Sequence, residues 1–105
     1  MLVRWTEPAL EDMEAIKSYI AKGSNVYAHQ FIERIFQVTE KLQTFLEIGR
    51  KVPEATDSEN VRELIFQGYR IIYLHSTSKE LIYIVTVIHG SRDLDAIEQF
   101  PWCAG

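Results

Sequence analysis

The sequence predicts an α+β domain in the order β-α-α-β-β-β, with a helical hairpin packed on a small, mainly antiparallel sheet and a short C-terminal helix to close. Three observations lead there. The first half carries apolar stripes at helical spacing, the second half carries β-branched and aromatic runs, and the connectors between like elements are short. Strands this apolar cannot leave both sheet faces in water, so the hairpin has to cover one of them.

Taken in order, Leu2-Val3-Arg4-Trp5 is a short β-prone run. Thr6 follows as a helix N-cap, with Glu7 placed to favour the helix dipole and Pro8 tolerated in the first turn. Leu10, Met13, Ile16 and Ile20 then define one face of a helix, which Tyr19 widens. Gly23-Ser24-Asn25 stops that helix and caps a longer one, whose stripe runs through Ala28, Phe31, Ile32, Ile35, Leu42, Phe45 and Leu46 to a stop at Gly49. So short a connector implies an antiparallel αα-hairpin. Residues 50–60 show neither period and read as a surface loop.

Val61–Phe66, Tyr69–His75 and Leu81–His89 read as three antiparallel strands in a meander, separated by Gln67-Gly68 and by Ser76-Thr77-Ser78-Lys79. If Gln67-Gly68 is a two-residue turn, Ile65 opposes Arg70, Glu63 lies diagonally across from Arg70 on one face, and Arg62 shares the other face with Tyr73. A three-residue loop would flip that parity. Ser91 is placed to cap a final helix reaching Phe100, ended by Pro101.

With 105 residues the chain makes a single domain, 1–105, without repeats or linkers. A composition of 47% apolar and 25% charged residues is that of a folded globular protein. Cys103 is the sole cysteine, so no internal disulfide is expected, and MLVRWTEPAL lacks the apolar core of a secretory signal. The cytoplasm is the expected compartment. The longest apolar stretch, Leu81 to Ile88, falls far short of the roughly 20 residues that span a bilayer, so no membrane partner is expected. A net charge of −4 argues against binding that relies on broad attraction to phosphate backbones.

Four blocks together resemble the RelE/ParE toxins of bacterial type II toxin–antitoxin systems. They are Trp5 with Ala9 and Leu10; Gly49-Arg50-Lys51-Val52-Pro53-Glu54; Val61-Arg62-Glu63-Leu64; and Tyr69-Arg70-Ile71-Ile72-Tyr73 with Ile88-His89-Gly90-Ser91-Arg92-Asp93-Leu94. The VREL, YRIIY and HGSRDL blocks are more similar to the ParE side. The resemblance implies a growth-arresting protein, neutralised by a cognate antitoxin, that inhibits DNA gyrase by protein–protein binding without a catalytic centre. The alternative it implies is a RelE-like, ribosome-dependent mRNA endoribonuclease. A further alternative is an antitoxin-binding homologue that has lost toxicity, since a fold does not guarantee a function.

The nuclease reading would use Arg70, His89 and Arg92, because 2′-OH attack on a phosphodiester needs a base, an acid and cations. Against it, no tyrosine follows Arg92, and the loop after the helices supplies only Arg50 and Lys51. Arg62, Arg70 and Arg92 are the candidates for toxicity or partner contact, with Arg92 foremost because it lies on a rim loop. Each has a plainer reading. Arg70 would form an exposed ion pair with Glu63, worth roughly 0.2–1 kcal/mol; Arg62 would stack on Tyr73 or pair with an acidic neighbour; Arg92 would pair with Asp93 or another carboxylate. His89 would be a hydrogen-bonded strand-end residue on the face of Val85 and Val87. Phe100 and Trp102 pack on the sheet or form an apolar patch for a partner. His29, His75 and His89 have no metal-ligand spacing and no phosphate-binding glycine loop is present, so neither metal nor cofactor is expected.

Overall fold

The computed structural model describes residues 2–45, 47–53, 60–76 and 78–90. The expected C-terminal helix, Arg92 and the Phe100–Trp102 segment lie outside them. The elements are β1 (Leu2–Trp5), α1 (Glu7–Ala21), α2 (Asn25–Glu40), β2 (Arg50–Lys51), β3 (Val61–Phe66), β4 (Tyr69–Ser76) and β5 (Leu81–His89). The two helices pack on a five-stranded sheet of order β1-β5-β4-β3-β2, in which β1 runs parallel to β5 and the other pairs are antiparallel.

Thr6 joins the first strand to the first helix. Its hydroxyl oxygen accepts from the Ala9 N–H at 3.3 Å as an N-cap, and the same hydroxyl donates to the Ile84 carbonyl of β5 at 2.8 Å. The start of α1 is thereby fixed to the strand that β1 pairs with. Ser24 caps α2 by accepting from the Tyr27 N–H at 3.1 Å. The buried face of α1 is Ala9, Met13 and Ile16, with Ile20 partly covered. This corrects the expected stripe by about one position: Leu10 is turned toward solvent, and Tyr19 is 68% exposed. Sequence spacing fixes the width of an apolar face, whereas the sheet underneath decides where its centre lies.

The second helix ends sooner than its stripe suggests. After Glu40 the chain tightens into a 3₁₀ turn at Lys41–Gln43, which buries Leu42 and leaves Phe45 60% exposed. The expected continuation to Leu46 is therefore not helical beyond the 3₁₀ turn among the described residues, and β2 follows at Arg50. Residues 50–60 are therefore not entirely loop: Arg50 pairs with Glu63 and Lys51 with Arg62. Two residues are too few to show a strand period, so only the pairing reveals this strand. Gly49 is no helix stop. It sits where a β-carbon would fall within 2.7 Å of the Glu63 carbonyl and would overlap the Tyr73 hydroxyl, which requires glycine.

Gln67-Gly68 makes the two-residue turn, with φ of 47° and 85° at its central residues, the all-positive pattern of a type I′ hairpin. Phe66 accordingly opposes Tyr69 and Ile65 opposes Arg70, as the two-residue reading requires. The Tyr27 hydroxyl donates to Gln67 Oε1 at 2.9 Å, pinning this turn to α2. Further along, Ile72 opposes Thr86 while Tyr73 opposes Ile84, so Val85 is an extra residue in β5. The alternation of β5 slips there, and Val85 packs with Val52, Val61, Ile72 and Ile88 on one face while Val87 joins the helix-side core. That core sets Met13, Ile16, Phe31 and Ile35 against Ile71, Tyr73, Ile82 and Ile84.

Thr86, the polar break in the β5 run, is answered by α1. Its hydroxyl donates to the Asp12 carboxylate, which also accepts the Val87 N–H at 3.1 Å. The bulge and the end of β1 leave this stretch of β5 without a strand on that side, and Asp12 supplies the missing acceptor.

Gln67 is a side chain held in the left-handed region, where glycine or asparagine rests more easily. Gln67→Gly should therefore raise stability by a few tenths of a kcal/mol to about 1 kcal/mol in urea unfolding, less whatever the lost Tyr27 contact contributes. A Tyr27→Phe background isolates the backbone gain.

Candidate functional site

Of the candidate arginines, Arg62 lies on β3 and Arg70 on β4, on opposite faces of the sheet. Arg62 projects on the side of its partner Tyr73, and Arg70 on the side of Glu63, so the two point apart as the two-residue turn implied.

Arg70 is not an exposed half of a surface ion pair. Its Nε donates to Glu63 Oε2 at 2.5 Å, with its side chain 7% exposed and that of Glu63 wholly buried. The second oxygen of Glu63 accepts from Arg50 Nε at 2.9 Å, and Arg50 is 63% exposed. One carboxylate is thus clamped between two guanidinium groups across β2, β3 and β4. The pair lies beside the second apolar cluster of Val52, Val61, Ile72 and Ile88, which keeps water from it. Sequence reasoning placed Glu63 across from Arg70 but missed the burial and the second arginine. Only the register of β2 brings Arg50 there.

Arg62 neither stacks on Tyr73 nor pairs with a carboxylate among the described residues. Its Nη1 donates to the Gly49 carbonyl at 3.0 Å. The Tyr73 hydroxyl in turn accepts the Gly49 N–H at 3.1 Å, so this glycine is held from both sides. Burial raises the Tyr73 pKa above its usual 10.0, with the Gly49 hydrogen bond and the charge of Arg62 acting in the opposite direction.

His89 is exposed at the end of β5, its ring edge-on to Tyr69 at 5.6 Å. It shares a face with Val87 but not with Val85, because the bulge changes the parity between them. Tyr69 continues inward to Phe31 at 5.4 Å, and Phe31 to Phe66 at 5.5 Å. Among the described residues Arg70 and His89 do not share a face, since Arg70 opposes Ile88 whereas His89 opposes Tyr69. Arg92 lies outside the described residues. No three metal-ligating side chains come together among those described, and no described helix is long and apolar enough to cross a membrane.

A helical hairpin on a sheet whose parallel edge strand precedes it, with an antiparallel β-meander behind, is the scaffold of the RelE/ParE toxin superfamily. Among solved structures it superimposes on that of the chromosomal ParDE toxin–antitoxin system from P. aeruginosa with a TM-score of 0.70, at 20% identity over 85% of this chain and 95% of that one. The isolated E. coli RelE toxin matches with a TM-score of 0.61, at 16% identity over 92% of each chain. At those identities the likeness is one of fold. No curated protein matches the sequence significantly. The family model described as "ParE toxin of type II toxin-antitoxin system, parDE" matches residues 3–94, and the chain belongs to this family, on the ParE side of the superfamily.

Two measurements probe the site's energetics. Removing one member of a buried ion pair strands the other, so Glu63→Gln should destabilise the fold by about 3–5 kcal/mol, whereas Glu63→Leu with Arg70→Met should recover much of the loss in the same urea titration. For Tyr73, a pKa raised by folding means that its share of stability is intact below the unfolded value of 10.0 and declines as the pH climbs beyond it. Tyr73→Phe should flatten that alkaline decline and lower stability at neutral pH by about 1–3 kcal/mol, since the Gly49 N–H loses its acceptor.

Proposed function

We propose that this chain is the toxin of a type II toxin–antitoxin pair, that it arrests growth by binding DNA gyrase, and that it performs no covalent chemistry. Membership of the ParE family supports the toxin role and a cognate antitoxin as partner. The observation that carries the choice of mechanism is the state of Arg70. A nuclease of the RelE type would present this arginine to a phosphate, but here both oxygens of a buried carboxylate already hold Arg70 and Arg50. Freeing the Arg70 guanidinium would leave the buried Glu63 with Arg50 alone, a partner 63% exposed, which is costly for a carboxylate held out of water. The separation of His89 from Arg70 by strand parity, and a net charge of −4, support the same reading. Arg92, which follows β5 in the sequence, stays the leading residue for the gyrase contact, with Arg62 behind it.

The deciding experiment is ATP-dependent supercoiling by purified gyrase in increasing amounts of this protein, run beside ribosome-programmed mRNA cleavage. Loss of supercoiling with trapped linear DNA and intact mRNA is the expected result, and Arg92→Ala should weaken it. Intact supercoiling with mRNA cut on the ribosome would overturn the proposal in favour of the nuclease. Absence of both effects, together with unimpeded growth on induction, would mark a homologue without toxicity.

A further inference from the structure

The β5 strand changes register once, with Ile84 opposite Tyr73, Thr86 opposite Ile72 and Val85 left over between them. Apolar patterning does not dictate that shift. Carrying the first register onward would set Val85 opposite Ile72, Thr86 opposite Ile71 and His89 opposite Gly68, and a branched apolar residue would still fall on each face of the sheet. A strand that is apolar on both faces specifies its register weakly.

Polar contacts from the start of α1 distinguish the two registers. The Thr6 hydroxyl lies 2.8 Å from the Ile84 carbonyl and 3.2 Å from that of Val85, and the Thr6 N–H donates to the Ile84 carbonyl at 3.1 Å. Ile84 therefore turns its carbonyl toward β1. Backbone groups of successive strand residues alternate sides, so an unbulged β5 would aim the Val87 N–H at β4. The bulge turns it outward instead, beyond the last β1 pair, and there Asp12 Oδ2 accepts it at 3.1 Å together with the Thr86 hydroxyl. Thr6 and Asp12 thus hold β5 on either side of its extra residue.

The shift carries through to the end of the strand. It sets His89 opposite Tyr69, with the rings edge-on at 5.6 Å, and it lets the Gly90 N–H donate to the Gly68 carbonyl at 2.7 Å. Ser91 and Arg92 follow directly in the sequence.

We propose that Asp12 is a positioning residue for the partner surface at the end of β5. By holding the bulge it fixes the face that His89 takes and the point at which the chain leading to Arg92 leaves the paired strands, without itself belonging to that surface. The functional half of this inference rests on the gyrase reading, and the register half does not.

The test is NMR of the full chain, following the Tyr69–His89 ring contact and the exchange of the Gly90 amide relative to amides upstream of the bulge. Asp12→Ala should weaken or split the ring contact and speed Gly90 exchange about tenfold. Asp12→Asn, whose amide oxygen still accepts hydrogen bonds, should preserve both. Deletion of Val85 keeps every pair on either side while removing the bulge, so Asp12→Ala in that background should leave the ring contact and Gly90 protection in place. Unchanged signals in Asp12→Ala, or their loss in the deletion background as well, would overturn the positioning role. In the supercoiling assay Asp12→Ala should weaken inhibition about tenfold, with recovery in the combined variant. Full inhibition by a register-shifted Asp12→Ala would overturn the functional half. A wild-type protein without effect on gyrase would remove that half along with the gyrase reading, while the NMR result decides the register half by itself.

Discussion

Glu63 is a carboxylate without solvent, and much of the second half of the molecule is arranged around that fact. An ionised carboxyl group taken out of water is costly unless its oxygens are met by cations in good geometry. Arg70 comes from the neighbouring strand and Arg50 from the edge, one to each oxygen, and the three strands are held in register as a result. The short β2 strand exists through this clamp and through the Lys51–Arg62 pairing next to it, for its two residues have no β pattern of their own. Gly49 completes the corner, because nothing larger fits between the Glu63 carbonyl and the Tyr73 hydroxyl.

The opposite end of the sheet is organised by β5, which receives a parallel neighbour on one side and an antiparallel one on the other. Parallel β1 stops at Trp5, the bulge at Val85 upsets the alternation, and the helix closes both gaps. Thr6 donates to the Ile84 carbonyl, and Asp12 takes the Thr86 hydroxyl and the Val87 N–H. The hairpin is thus seated by polar contacts at the start of α1 and from Tyr27 of α2 to Gln67, and by apolar packing between them. Each burial of a large aliphatic side chain there contributes about 1.5–3 kcal/mol, so packing supplies most of the stability and the polar contacts supply the alignment.

This division bears on function. Fold alone does not choose a mechanism. The choice rests on how particular side chains are used. In this chain Arg70 is part of the architecture, held on the buried Glu63, while Lys51 is exposed and the half-buried Arg62 is spent in part on the Gly49 carbonyl.

The sequence by itself determined the class of fold, both helix starts and the strands Val61–Phe66 and Leu81–His89, and it tied the pairing of Ile65 with Arg70 to the length of the Gln67-Gly68 turn, which the structure then decided. Those features follow from local chemistry: Thr6 and Ser24 cap because of their hydroxyls, and the strands show as β-branched and aromatic runs. The family blocks were legible for the same reason, as contiguous runs. Only the tertiary structure decided that α2 stops at Glu40, that Leu10 and Tyr19 face solvent, that Val85 is a bulge, and that Arg50 joins Arg70 on a buried Glu63. Each of these depends on what lies across the sheet or beneath the helix. Periodicity states which residues share a face, but the burial of that face, and the partner a charge finds there, are properties of segments distant in sequence.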